Sequence, residues 1–144
     1  MNLKISTIYD CNKITLNKIE NRAGNITVIE NEIDIPFAAK RVYYLYDIPS
    51  GAERGGHAHK TLYQLLIAIS GSFDVMLDDS RNKKTITLNR PNVGLIIVPG
   101  IWRELINFSG SAVCLVLASN NYLEEDYIRD FTFFYNWKKI KYEI

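Results

Sequence analysis

Histidine and cysteine are scarce in this chain, with two of each in 144 residues. Cys11 and Cys114 form no short-spaced pair, which excludes a Cys-based zinc knuckle and a C-x-x-C redox motif. Cys114 lies in the apolar run at 112–117 and reads as a small core residue. Charge of either sign is not in excess: 17 Lys and Arg against 16 Asp and Glu give a net charge of +1, so nothing in the bulk composition points to a nucleic-acid partner. No apolar run approaches the ~18–20 residues a membrane helix needs, and the opening MNLKISTIYD has no apolar h-region of a signal peptide. A soluble, reducing, cytoplasmic setting without a membrane partner is the expectation. Linkers, low-complexity tracts and repeats are also missing, so 1–144 reads as a single domain. With 47% hydrophobic and 23% charged residues, it can bury a core without disulfide or metal staples.

What the chain does have is a series of short β-rich runs: 26–30, 41–46, 62–69, 72–77, 85–88, 93–98 and 112–117. Turn chemistry separates them, as at Pro49-Ser50-Gly51, Ser70-Gly71, Arg90-Pro91-Asn92 and Pro99-Gly100. Seven or more short strands at this spacing predict a sandwich or barrel. The tail 124–144 places acidic residues first and lysines last, an order that suits a helix dipole, and its aromatic cluster is expected to pack on the barrel or a partner.

Both histidines sit in Gly51-Ala52-Glu53-Arg54-Gly55-Gly56-His57-Ala58-His59-Lys60, which reads G-x5-H-x-H and is closed by Gly71. This is the opening of a cupin metal site, but Gln64 stands where a Glu ligand belongs. A second half-motif runs from Gly94 through Pro99-Gly100 to Asn107, with Arg103 in place of the fourth ligand, a His. Combined with the strand pattern, the half-motifs predict an all-β cupin jelly-roll barrel with a short C-terminal helix. Residues two apart on a strand share a face, so His57 and His59 point together, into the barrel. A metal needs three or four suitable ligands. Two histidines, a neutral amide and a repelling guanidinium do not supply them, so no metal and no cofactor are expected. Acid–base chemistry and plain ligand binding remain open. Arg103 in a barrel mouth suits an anionic or carbonyl-bearing ligand, and Arg41, Arg54 and Lys60 can add charge for a phosphate. Tyr43 and Tyr44 point to opposite faces of their strand, so one phenol should enter the barrel.

The blocks RVYYLYD at 41–47, ERGGHAHK at 53–60, VPGIWRE at 98–104 and LASNNYLEEDYIRDF at 117–131, in this order, resemble the dTDP-4-keto-6-deoxyglucose 3,4-ketoisomerases. The resemblance spans residues 5–131. It implies a metal-independent enzyme that moves the ketone of a dTDP-sugar from C4 to C3, on the way to 3-amino-3,6-dideoxyhexoses of surface polysaccharides. It also implies a homodimer with an exchanged N-terminal strand. Carried over, His57 is the main proton shuttle, Tyr43 its partner and His59 its support. Arg41, Arg54, Lys60, Arg103 and Tyr44 bind substrate. Arg103 after the motif Trp leans towards the gluco product. Ala23 and Gly56 depart from the family pattern, the first at a position that tracks product configuration. The alternatives are a 3,5-epimerase-like cupin, which keeps the ketone at C4, and a non-catalytic nucleotide-sugar-binding cupin.

Overall fold

Two five-stranded antiparallel sheets face each other in a computed structural model that describes the backbone of residues 5–142 and the side chains of residues 5–139. The strands are β1 (Asn12–Thr15), β2 (Lys18–Ile19), β3 (Ile26–Thr27), β4 (Arg41–Leu45), β5 (Arg54–His59), β6 (Gln64–Ser70), β7 (Phe73–Asp78), β8 (Lys83–Leu88), β9 (Val93–Ile97), β10 (Trp102–Ile106), β11 (Val113–Ala118) and β12 (Tyr127–Ile128). One sheet runs β1-β9-β6-β11-β4 and the other β12-β5-β10-β7-β8, while β2 and β3 pair as a separate ribbon. This is the jelly-roll of the sequence reading, followed by one helix, α1 (Phe131–Tyr142).

Alternation explains the layers. Phe73, Val75 and Leu77 on β7 face inward and join Leu66, Leu95, Leu105 and Val116 in the core between the sheets. Leu65 and Ile67 on β6 are also buried, but against a second cluster on the other face of their sheet, with Leu16, Ile35, Phe37 and Ile96. That is why β6 reads as a continuous apolar run. At Gly94 a Cβ would overlap Leu65 Cδ1, so only glycine lets β9 lie this close to β6. Gly71 makes the β6–β7 turn at φ +66°, where an added Cβ would also press on the Ala112 backbone at 2.8 Å.

Two elements differ from the sequence reading. The strand expected at 26–30 shrinks to Ile26–Thr27, because among the described residues it pairs with β2 alone, and Ile19, Ile26 and Val28 all remain exposed. The acidic residues of the tail lie outside the helix: Glu124–Asp126 form a 3-10 turn and α1 has no acidic residue in its first turn. Asp130 caps the helix instead, its Oδ1 accepting from Phe133 N–H at 2.9 Å. The helix packs Phe134 against Trp102, Ala58 and Ile128, on the outer face of the β5–β10 sheet. Since Ala58 and Trp102 point out to the helix, their neighbours His57, His59 and Arg103 point in. β1 takes the edge beside β9 within the same chain, through four residue pairs from Asn12↔Ile96 to Thr15↔Val93. Among the described residues no helix is long and apolar enough to cross a membrane.

Candidate active site

Strand β5 carries an extra residue where it faces β10. Arg103 stands opposite His57 and Leu105 opposite Arg54, so three steps on β5 match two on β10. The insertion falls on Gly55-Gly56, with Gly55 at φ +79°. Such a bulge needs a residue that accepts the left-handed region, and it re-aims the side chains around it. Arg54 and His57 would lie on opposite faces of a regular strand. With the bulge, both line one cavity of about 370 Å³.

The opposite wall comes from the other sheet, where Val116 on β11 lies between Tyr43 on β4 and Leu66 on β6. The next row places Ala118 between Arg41 and Gln64. A polar chain crosses the cavity floor. Arg103 Nε–H donates to His57 Nε2 at 3.1 Å, and Arg103 Nη2–H donates to Gln64 Oε1. Gln64 Nε2–H donates to Tyr43 Oη at 3.0 Å. His59 lies beyond His57, with the two Nε2 atoms 3.1 Å apart, and its Nδ1 is 3.0 Å from Asp126 Oδ2. Asp126 Oδ1 accepts from Thr61 N–H at 2.8 Å and from Thr61 Oγ1–H at 2.6 Å.

The electrostatics follow from burial around a cation. Arg103 is 3% exposed and pairs with no carboxylate among the described residues. Burial lowers its affinity for its proton, yet a guanidinium stays charged. His57 is pushed far below the ordinary imidazole range, first by burial and then by Arg103. Burial also takes His59 down to about 4, against the opposing pull of Asp126. Burial alone would raise Asp126, but hydrogen bonds from His59 and Thr61 outweigh it and hold the carboxylate below its usual range. Tyr43 is pushed up by burial, so it enters any reaction as a neutral phenol. Both cysteines are buried and pushed up, to about 11 and about 12, so neither thiol is reactive near neutral pH.

These residues do not fit the metal of a cupin. Arg103 Nε–H occupies the His57 Nε2 lone pair that would ligate it. Among the described residues no three His, Cys, Asp or Glu side chains group to hold an ion.

The family model described as WxcM-like, C-terminal matches residues 9–139. The TDP-4-oxo-6-deoxy-alpha-D-glucose-3,4-oxoisomerase of Aneurinibacillus thermoaerophilus is 45% identical over 126 residues, 88% of each chain. The chain belongs to the sugar 3,4-ketoisomerase family. It is accordingly an isomerase. Solved members agree in fold. A sugar 3,4-ketoisomerase from Thermoanaerobacterium thermosaccharolyticum, crystallised with TDP, is 42% identical, with a TM-score of 0.91 over 94% of this chain and 98% of that one. A 3,4-ketoisomerase from Helicobacter canadensis is 45% identical, with a TM-score of 0.88 over 90% and 98%. A 3'-monoepimerase from Streptomyces bikiniensis, 14% identical at a TM-score of 0.72, shares the fold alone.

Within this ketoisomerase, the structure brings six of the eight residues singled out from the sequence to the site. Tyr43, His57, Arg41, Arg54 and Arg103 line the cavity, and His59 sits directly behind His57. Tyr44 and Lys60 are not among its lining residues. Tyr44 is 59% exposed, because strand alternation that turns Tyr43 inward turns it outward. Lys60 follows the last residue of β5, and its backbone N–H is tied to Asp126 O at 2.9 Å. Arg41 has a buried Nε and Nη2 with no hydrogen-bond partner among the described residues, and lies over the rings of Tyr43 and Tyr122 at 5.3 and 5.5 Å. Sequence reasoning missed Asp126, Thr61, Tyr127 and Arg129. Tyr127 and Arg129 line the cavity, with the Arg129 guanidinium 4.1 Å from the Tyr127 ring and its Nε and Nη2 on Glu124. The acid-then-base order of 124–129 was the available signal, and reading that stretch as helix hid it.

Proposed function

We propose that this isomerase converts dTDP-4-keto-6-deoxyglucose to a dTDP-3-keto-6-deoxyhexose, the gluco product, without a metal, by proton transfer from C3 to C4 through His57. The observation that carries the reading is Arg103: a buried cation with no carboxylate, hydrogen-bonded to a neutral His beside a cavity of ligand size. An unpaired buried charge is costly, and here it serves a ligand oxygen that becomes negative. A 42%-identical relative, a His-to-Asn variant of the Thermoanaerobacterium enzyme, was crystallised with TDP-4-keto-6-deoxyglucose, which supports the choice of substrate.

The C4 carbonyl acidifies the C3 hydrogen. His57 takes that proton and leaves an enediolate, whose oxyanion is stabilised by the Arg103 and Tyr43 donors. The proton returns to C4, the C3 hydroxyl passes its own proton to the C4 oxygen, and the ketone stands at C3 beside a C4 hydroxyl with no net change of composition. The unpartnered Nε and Nη2 of Arg41, together with Arg54, suit the pyrophosphate. The working enzyme is taken to be a homodimer with an exchanged N-terminal strand, in which the edge place that β1 fills beside β9 of its own chain would be filled from the partner.

The test is His57→Asn assayed with the nucleotide sugar in deuterium oxide by NMR, beside wild type dialysed against a strong chelator. Turnover should vanish in the variant while dTDP binding stays within about threefold, and dialysis should change nothing. A variant of near wild-type activity, or activity lost to the chelator and restored by a metal, contradicts the reading.

A further inference from the structure

The hydrogen bonds around the two histidines leave one acceptor open. A guanidinium only donates, so His57 Nε2 accepts from Arg103 and a neutral His57 carries its proton on Nδ1. Asp126, held as a carboxylate, only accepts, so His59 donates from Nδ1 and its Nε2 is a bare lone pair. That lone pair lies 3.1 Å from His57 Nε2, which is hydrogen-bond distance with no hydrogen between the two nitrogens.

We infer that Asp126 is a positioning residue of the reaction: through His59 it sets an open acceptor nitrogen against His57, so that the two imidazoles share the proton taken from the substrate. The inference rests on the ketoisomerase reading above, and says how a weak base does its work there. Burial and Arg103 make His57 alone a poor base near neutral pH. Once His57 Nε2 gains a proton, Arg103 Nε–H must yield that lone pair, and the new N–H finds His59 Nε2 already in place. The N–H that Arg103 releases becomes available to the substrate oxygen on which charge develops. Around the pair stand Arg41, Arg103 and Arg129, with the Tyr127 ring 5.2 Å from His57 and 4.4 Å from His59. Asp126 is the one carboxylate that touches either ring among the described residues. Its orientation is fixed from behind, since both Thr61 donors hold Oδ1 and leave Oδ2 for His59.

This predicts a specific failure for Asp126→Asn. The two Thr61 donors retain the amide oxygen, so the NH2 group faces His59 Nδ1. The ring must then accept there and carry its proton on Nε2, where it donates to His57 Nε2 and blocks the base. Long-range ¹H–¹⁵N NMR of the full chain at pH 7.5 should show both rings neutral with protons on Nδ1 in wild type, and the His59 proton moved to Nε2 in the variant. Against the nucleotide sugar, kcat should fall about 10²–10⁴-fold, the usual worth of a general base, with KM within about threefold. A wild-type His59 already protonated on Nε2 overturns the inference even if the variant does not fold. A folded variant with kcat within about threefold of wild type also overturns it. If wild type fails to isomerise the nucleotide sugar, the proposed function falls, while the ring spectrum still decides the role of Asp126.

Discussion

Replacing Arg103 by Met separates stability from activity. Arg103 is 3% exposed and makes two hydrogen bonds, to His57 Nε2 at 3.1 Å and to Gln64 Oε1. Losing them removes about 1.5–3 kcal/mol each and leaves two buried acceptors unpaired. Removing a buried cation that has no counter-ion returns several kcal/mol of desolvation. The opposing contributions are of similar size, so the denaturation midpoint should report a change within about 2 kcal/mol of wild type, in either direction. Activity has no such compensation. An oxyanion donor is worth about 10²–10³ in kcat, and turnover followed by NMR should fall by at least that. Arg103→Lys keeps the charge but not the fork that bridges His57 and Gln64, so its kcat should fall between the two. The His57 pKa should rise in the Met variant, because Arg103 is its largest depressing influence after burial. Arg103→Met with kcat within tenfold of wild type, or Arg103→Lys equal to wild type, would refute the role given to this cation.

The base acts as a neutral imidazole, and burial holds both rings below the ordinary value of 6.5. The profile of kcat/KM should therefore stay level from pH 7.5 down to about 5.5, where an ordinary imidazole loses about tenfold; a midpoint near 6.5 contradicts the assignment. The same depression sets a sign for stability. His59 binds its proton more weakly folded than unfolded, so stability is full above about 6.5 and falls as pH drops from there towards 4, which urea midpoints across that range will show. Away from the site, Gly94→Ala should cost about 1–3 kcal/mol by overpacking against the fully buried Leu65, with activity retained in the folded fraction; an unchanged urea midpoint would show that β9 and β6 can separate freely.

Strand alternation made much of this site legible in advance. His57 and His59 share a face because they are two apart, and the same rule separates Tyr43 from Tyr44. The pairing of Gln64 with Arg103 could be suspected from the half-motifs, since both stand at vacated ligand positions. Other features depended on non-local geometry. The bulge at Gly55-Gly56 is defined only against β10, so the sequence could assign Arg54 and His57 to one site through the motif but could not supply the geometry that turns both into it. Asp126 reaches His59 because β12 pairs with β5, placing Tyr127 opposite His59, across 67 residues of chain. Charge order along 124–141 looked like a helix dipole, but each acidic residue with a role had a more specific partner: Glu124 holds Arg129 and Asp126 holds His59.

The ligand substitutions also explain why the fold could keep its histidines. In a cupin metal site, a carboxylate and a further imidazole would converge with His57 and His59 on one cation. Here the cation is covalently part of the chain. Arg103 reaches the His57 nitrogen from β10, and Gln64 accepts from it where a carboxylate would have formed an ion pair. A Glu at position 64 would neutralise Arg103 and spend its charge inside the protein. The neutral amide satisfies one donor and leaves the charge for a ligand, while its own N–H orients Tyr43. Gln64 is thus as much a part of the site as the arginine it holds, and the missing carboxylate is what keeps the cavity cationic.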